Sequence, residues 1–342
     1  MSRWAVILAG GVGSRFWPLS TPRRPKQLLA LVNDTSLLAD SVRRLTPLVA
    51  PERILILTNA SIAADIAELL QDIPAHNIIA EPRAAGTAPA LAWAAMEIER
   101  RENGGAVMIC VHADWSIGDE EGFRLVLSHA ADTAERESAL VTVGVVPTRP
   151  DPGFGYIQLA DAVAGAFRVA RFAEKPDVST AGHMMREGYL WNSGIFVWRV
   201  SDFLSELRAH TPEVSSALAD NAGIEGFFSA VKPVSVDQGL LERSAKVLVI
   251  PGDFQWDDVG TWAALRRVRT RDAGGNAVAG AVHLVQSNNN VVHAEGSRVV
   301  LFGVSDLVVV SREGLTLVTT VERAADLKAL LDSLPASIRD QP

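Results

Sequence analysis

The chain of 342 residues is 48% apolar and 21% charged, and its 32 basic and 40 acidic residues leave a net charge of −8. This is the composition of a globular protein of about two domains, at roughly 150 residues each, and it excludes a disordered chain. The acidic balance argues against a nucleic-acid partner, although a few placed cations suffice for a phosphate ligand. The single cysteine, Cys110, excludes an intramolecular disulfide and a cysteine-rich zinc site, and fits a reducing compartment. It lies in the apolar run 107–111 and reads as a core thiol. No apolar run approaches the ~18–20 residues of a membrane helix. Arg3 is followed only by a short apolar run ending in glycines, which lacks a secretory core. A cytoplasmic protein with no membrane partner is expected.

In chain order, β-branched runs at 5–8, 54–58, 77–80, 107–111 and 140–145 predict strands. Helical spacing at 36–48, 61–70, 88–101 and 121–135 falls between them. Continuous apolar strands separated by amphipathic helices predict a mostly parallel sheet covered on both faces. Ligands of such sheets bind beyond the carboxyl ends of the strands. Further on, 156–159 and 169–173 predict a hairpin, 196–199 and 247–250 predict core strands, and 261–269 predicts a helix. A turn-rich junction at 272–276 precedes short valine-rich strands at 277–285, 291–292, 299–302 and 307–310 and a closing helix at 321–334. The expected division is a large α/β domain at 1–271 and a small β-rich domain at 272–342.

The first strand runs straight into Leu8-Ala9-Gly10-Gly11-Val12-Gly13-Ser14-Arg15. Glycines at such a turn let backbone N–H groups approach a phosphate. A dinucleotide fingerprint would need glycine where Phe16 stands, and a P-loop would need a closing Gly-Lys-Ser/Thr that is absent. Instead Arg15 ends the loop and Lys26 follows in Pro25-Lys26-Gln27. A planar fork and a point charge beside a glycine turn suit a triphosphate. The plainer alternative is a tight turn followed by a solvated basic segment.

Gly10-Gly11-Val12-Gly13-Ser14-Arg15-Phe16-Trp17-Pro18-Leu19-Ser20, with Pro25-Lys26-Gln27 after it, closely resembles the signature of the sugar-1-phosphate nucleotidyltransferases, most nearly that of the mannose-1-phosphate guanylyltransferases. The resemblance implies a Rossmann-like, GT-A-like α/β core with a small C-terminal β-helix-like domain. It implies nucleotide binding by Leu8, Ala9, Gly10, Gly11, Gly13, Ser14, Glu81, Pro82 and Thr87, with Arg15 and Lys26 catalytic. A carboxylate is acceptor-only and matches the N1–H and N2–H donors of guanine, so Glu81 is a sensible base reader. The family's Arg-Asn after Glu-Pro is replaced here by Ala85-Gly86. Asp114, in His112-Ala113-Asp114-Trp115, and Asp258, in Trp256-Asp257-Asp258-Val259-Gly260-Thr261-Trp262, match the two carboxylates that share Mg²⁺ in the family. Asp258 has a helix cap as its alternative role, and Asp257 is expected to be exposed or to stand behind the metal ligands. On the sugar-phosphate side the matches are Gly155 and Tyr156, then Glu174 and Lys175 in Phe172-Ala173-Glu174-Lys175-Pro176, then Asn192 in Trp191-Asn192-Ser193-Gly194, and Asp237, which alternatively caps a helix.

The implied reaction joins GTP and mannose 1-phosphate into GDP-mannose and pyrophosphate. A sugar phosphate, with a second pKa near ~6, needs no general base to attack the α-phosphorus. Repulsion and alignment are the obstacles, and Mg²⁺ with Arg15, Lys26 and Lys175 would offset the charge. A homodimer also follows from the resemblance; some members of the family continue into a phosphomannose isomerase domain, and none is expected here because the sequence stops at Pro342. Competing readings are a transferase for another base or for a glucose- or heptose-type sugar phosphate, a non-catalytic subunit that binds nucleotide sugar, and, disfavoured by Phe16, a nicotinamide oxidoreductase.

Overall fold

The computed structural model describes residues 1–11, 13–102, 105–219 and 223–339. They divide into two compact units, neither continuous in sequence. The first comprises Met1–Gly10, Val42–His112 and Asp119–Phe254, and the second Gly11–Ser41, Ala113–Gly118 and Gln255–Pro342. The unit that holds the C-terminal strands thus also contains the glycine loop from Gly11 onward and both candidate metal aspartates. This differs from a linear division at 271/272.

The first unit is built on a nine-stranded sheet. From edge to edge its strands are Ile78–Glu81, Ile54–Asn59, Ser2–Leu8, Ala106–His112, Leu190–Arg199, Leu140–Val145, Val247–Gly252, Ala166–Ala173 and Tyr156–Val163. All but Leu190–Arg199 and Ala166–Ala173 point the same way. Strands 106–112 and 140–145 are buried almost throughout, as the unbroken apolar runs require of a sheet covered on both faces. The helix Thr87–Glu102 carries Pro89 in its first turn, where no N–H is needed, and Arg100 and Arg101 in its last, where they meet the negative end of the dipole. Its Leu91, Ala95 and Ile98 join Phe203, Leu204 and Leu207 of the helix Val200–His210 in one core. Each such leucine stabilises the fold by about 2 kcal/mol through burial. The helix Glu120–Glu137 starts at Asp119, whose carboxylate accepts from the Gly122 N–H at 2.9 Å. The expected hairpin turns at Ala164 and Gly165, both at positive φ, which is what a two-residue turn between twisted strands demands.

In the second unit, Ala277–Val285, Val291–Phe302 and Leu307–Arg312 pair in parallel, and Leu315–Thr320 folds back antiparallel. The two segments expected at 291–292 and 299–302 are one strand. A bulge at Gly280/Ala281 absorbs the mismatch with its neighbour, and Gly280 lies so close to the Ala294 carbonyl that no Cβ fits. Buried Asn276 and Asn290 form a ladder: Asn276 Oδ1 accepts from Asn290 N and Nδ2 at 2.9 and 3.0 Å, and Asn290 Oδ1 accepts from Leu307 N at 2.9 Å. Phe16, Trp17, Leu19, Leu29 and Leu31 pack with Val259, Trp262, Leu265, Val291, Val308 and Leu317. That shared apolar core is why the segment 11–41 belongs with the C-terminal strands.

Several local expectations change. The helix expected at 261–269 is a 3-10 turn, Trp262–Ala264, and one α turn, Leu265–Val268. Thr261 is its N-cap, so Asp258 is not used as a cap. The closing helix is likewise a 3-10 turn at Arg323–Ala325 followed by Leu327–Ser333. The helices Val178–Arg186 and Val200–His210 and the strand Leu315–Thr320 were not expected. Val178–Arg186 has a legible start signal in Asp177, which caps the Thr180 N–H at 2.8 Å.

Candidate active site

In the second unit the chemistry gathers on Lys26, which is only 5% exposed. Its Nζ lies 2.9 Å from Asp114 Oδ2 and donates to the Asp258 backbone carbonyl at 2.7 Å. It also stands 5.6 Å from the Phe16 ring centroid, within cation–π range. Gly13 makes this placement possible. It takes φ +68°, and a Cβ there would fall 2.3 Å from Lys26 Cβ. The Gly13 carbonyl accepts from Ser20 Oγ at 2.6 Å, which ties down the loop. Gly11 is exposed, and Val12 lies outside the described residues. Ser14 and Arg15 occupy a 3-10 turn with exposed side chains, while Phe16, the next residue, is buried. Lys26, Asp114 and Asp258 therefore come together, and Arg15 faces outward.

Of the two expectations for Asp257, exposure is corrected by the structure. The residue is 5% exposed, and Arg267 grips it with Nε on Oδ2 at 2.6 Å and Nη2 on Oδ1 at 3.1 Å. Asp257 Oδ1 also accepts from the Val259 N–H at 2.9 Å. The bidentate pair shapes the turn that carries Asp258. Its sequence signal is an acid and an arginine ten residues apart, which is ordinary spacing, and only the short turns between them bring the two together.

Among the described residues no three His, Cys, Asp or Glu side chains gather as a metal site. Two hard carboxylate residues beside a solvent-facing loop are nonetheless what Mg²⁺ asks of a protein, since that ion keeps waters and takes phosphate oxygens instead of a closed protein cage. The donor set of Asp114 and Asp258 fits.

In the first unit, Leu8 ends its strand and Ala9 is locked to the next one: Ala9 N donates to Leu57 O at 2.8 Å, and Thr58 Oγ1 donates to Ala9 O at 3.1 Å. Gly10 is exposed, and a Cβ on it would lie 3.8 Å from Glu81 Oε1. Glu81 is the last residue of its strand, followed by exposed Pro82. Burial pushes its carboxyl up to about 7. Thr87 opens the helix, and its Oγ1 accepts from the Val236 N–H at 2.8 Å. The Ala85-Gly86 departure has a physical basis here. Ala85 is fully buried, and Gly86, at φ +85°, presses against the Val234 carbonyl, so a Cβ would sit 2.4 Å from that oxygen.

On the sugar side, Asn192 Nδ2 donates to Asp237 Oδ1 at 2.8 Å, and Asn192 N donates to Gly155 O at 2.8 Å. A Cβ on Gly155 would lie 2.9 Å from Glu174 Oε2. Gly155, Glu174, Asn192 and Asp237 therefore share one neighbourhood. Burial pushes the Asp237 carboxyl up, against the pull of Asn192 and His112. Burial followed by the carboxylates of Asp237 and Glu174 raises Glu242 as well. His112 and Glu242 thus belong to the electrostatic surroundings of Asp237; the sequence carries no spacing signal for His112. Lys175 is 65% exposed and pairs with Glu174 at 2.9 Å. Tyr156 turns inward: it is fully buried, and its hydroxyl donates to Asp151 O at 3.2 Å and accepts from Asp151 N at 3.1 Å. Its side chain braces the 151–155 turn, and its backbone pairs with Ala173 on one side and Trp191 on the other. Asp237 begins a π-helical turn, Asp237–Leu241, without acting as a side-chain cap.

The family model for nucleotidyl transferases matches residues 4–274. A mannose-1-phosphate guanylyltransferase of Salmonella muenchen is 36% identical, over 98% of this chain and 74% of its own length. An enzyme of the same name from Escherichia coli is 35% identical, over 99% and 74%. The crystal structure of a mannose-1-phosphate geranyltransferase from Thermus thermophilus superposes with a TM-score of 0.91 at 33% identity, covering 97% of this chain and 99% of that one. With that likeness running through sequence and fold alike, the chain belongs to the nucleotidyl transferase family.

Proposed function

We propose that the protein is an enzyme that transfers a guanylyl group from GTP to α-D-mannose 1-phosphate, releasing pyrophosphate and forming GDP-mannose. The observation that carries the reading is likeness over nearly the whole chain to enzymes bearing that name. Glu81 would accept the N1–H and N2–H of guanine as a carboxylate. The turn at Gly10, Gly11, Gly13 and Ser14 would offer backbone N–H groups to phosphate oxygens, Leu8 and Ala9, the latter with its N–H already donated to Leu57 O, would anchor it to the sheet, and Pro82 would border the base. Lys26 would hold the triphosphate as a fixed positive charge that needs little reorganisation, because it is buried and already oriented. Exposed Arg15 would close on the phosphates from the solvent side. Gly155, Glu174, Asn192 and Asp237 would bind the sugar hydroxyls, with Tyr156 bracing the turn that leads to Gly155, and Lys175 would bind the phosphate. Asp114 and Asp258 would hold Mg²⁺, which when bound supplies charge neutralisation at the phosphate oxygens.

A homodimer in the cytoplasm completes the proposal, motivated by the family resemblance. Among the described residues no helix is long and apolar enough to cross a membrane. Sedimentation of the purified protein checks the dimer. The function is tested by pyrophosphate release from the purified protein, with each nucleoside triphosphate crossed against mannose, glucose and heptose 1-phosphates, with Mg²⁺ and with EDTA. The reading predicts the highest kcat/KM for GTP with mannose 1-phosphate and loss of turnover in EDTA. A clear preference for another pair would replace the substrates, and no release with any pair would remove the enzyme.

A further inference from the structure

The loop that leaves Glu81 and the segment that leads to Asp237 are joined by main-chain bonds within the first unit. Ala85 O accepts from Val234 N at 3.0 Å, and Val234 O accepts from Ala88 N at 3.2 Å. The third bond comes from a side chain: Thr87 Oγ1 accepts from Val236 N at 2.8 Å. Gly86 lies at the centre of this clasp. Its missing Cβ lets the chain reach the Val234 carbonyl, and its φ of +85° sets the direction of the turn. Val236 is fully buried, so its N–H has no ready substitute for the threonine oxygen.

Asp237 is the next residue, at the start of a π-helical turn. Such turns are rare and concentrate at functional sites. Its Oδ1 takes the Asn192 amide, so the position of Asn192's side chain follows from that of Asp237. The threonine hydroxyl is therefore one hydrogen bond and one residue from Asp237, and a second hydrogen bond leads on to Asn192.

We infer that Thr87 is a positioning residue for the sugar phosphate: its hydroxyl fixes Val236, and through it Asp237 and Asn192. This departs from a direct nucleotide contact for Thr87, and it rests on the guanylyl-transfer reading above. Threonine provides both the oxygen and the branched shape, so valine removes the acceptor while keeping the volume, and serine keeps the acceptor.

The test compares Thr87→Val and Thr87→Ser with the wild type. In Thr87→Val, KM for mannose 1-phosphate rises about tenfold or more, KM for GTP stays within about twofold, and the Val236 amide exchanges its hydrogen faster. Thr87→Ser retains wild-type values in all three. Combined with Asp237→Asn, Thr87→Val adds less than its separate effect, as expected of residues acting through one element. A larger rise in KM for GTP than for the sugar phosphate overturns the inference, as does a serine variant that behaves like valine. Faster Val236 exchange with unchanged sugar-phosphate kinetics also overturns it, because the clasp would then be structural alone. Inactivity of the wild type toward this substrate pair is a failure of the functional reading and shows before any variant is made. Val236 exchange then decides the clasp by itself.

Discussion

As the proposed guanine reader, Glu81 would make nucleotide use depend on pH in a way that can be calculated. Its carboxyl, normally ionised well below neutrality, is held at about 7 because burial disfavours the charge. Guanine offers donors, so binding requires the ionised form. At pH 6 about one molecule in ten carries the carboxylate, at pH 7 half do, and at pH 8 about nine in ten. The kcat/KM for GTP should therefore rise about tenfold from pH 6 to pH 8 through this group alone. GTP and the sugar phosphate also titrate in this range, so the informative quantity is the ratio of wild type to Glu81→Gln with the same substrates, in which the substrates' own titration cancels. That ratio should climb about tenfold and level off above pH 8. Calorimetry in buffers of different ionisation enthalpy gives a second measure: at pH 7 about half a proton should leave the wild-type protein as GTP binds, and none from residue 81 in the variant. A ratio flat from pH 6 to pH 8 would refute the assignment of Glu81 as the base reader. Glu81→Gln should also narrow the preference for GTP over ATP, because its amide can donate to the acceptor that adenine presents.

Lys26→Ala should lower kcat by at least about a hundredfold and Arg15→Ala should also reduce turnover, each with a native circular dichroism spectrum; near wild-type kinetics in either removes that cation from the phosphate site. Because Lys26 is buried against Asp114 and Arg15 is exposed, only the lysine variant should lose stability, by about 1–3 kcal/mol in denaturant titration. Gly13→Ala should cost about 1–3 kcal/mol and displace Lys26, since it adds a Cβ at positive φ where Lys26 Cβ already stands; a fully active, equally stable variant would contradict that geometry. His293 is pushed down to about 4 by burial and by the neighbouring Arg269 guanidinium, whose Nη2 donates to its Nδ1 at 3.0 Å. The folded protein then binds fewer protons than the unfolded chain between pH 6.5 and 4, so stability is complete above 6.5 and falls as pH drops through that window. The loss is at most about 3 kcal/mol, and His293→Gln should flatten this part of the acid limb of a melting-temperature profile.

Local chemistry made much of the fold and of the candidate site legible. Unbroken apolar runs announced the buried strands, and Glu81 was expected just past a strand that it in fact ends. The glycines after the first strand announced a tight turn, which Gly13 makes at φ +68°. Gly13 shows where that legibility stops: its conformation belongs to the loop, but its need to lack a Cβ comes from Lys26, thirteen residues later.

The sequence alone determined which residue types could do phosphate chemistry and roughly which strands carry them, because propensity, periodicity and motif spacing act over a few residues. Tertiary structure decided the partners. Lys26 meets Asp114 across 88 positions, Asp257 is buried by Arg267, Tyr156 turns into the core, and Thr87 reaches Val236 across 149. Hydrogen bonds and ion pairs depend on distances of about 3 Å, and positions along a chain do not specify such distances until the apolar core has packed.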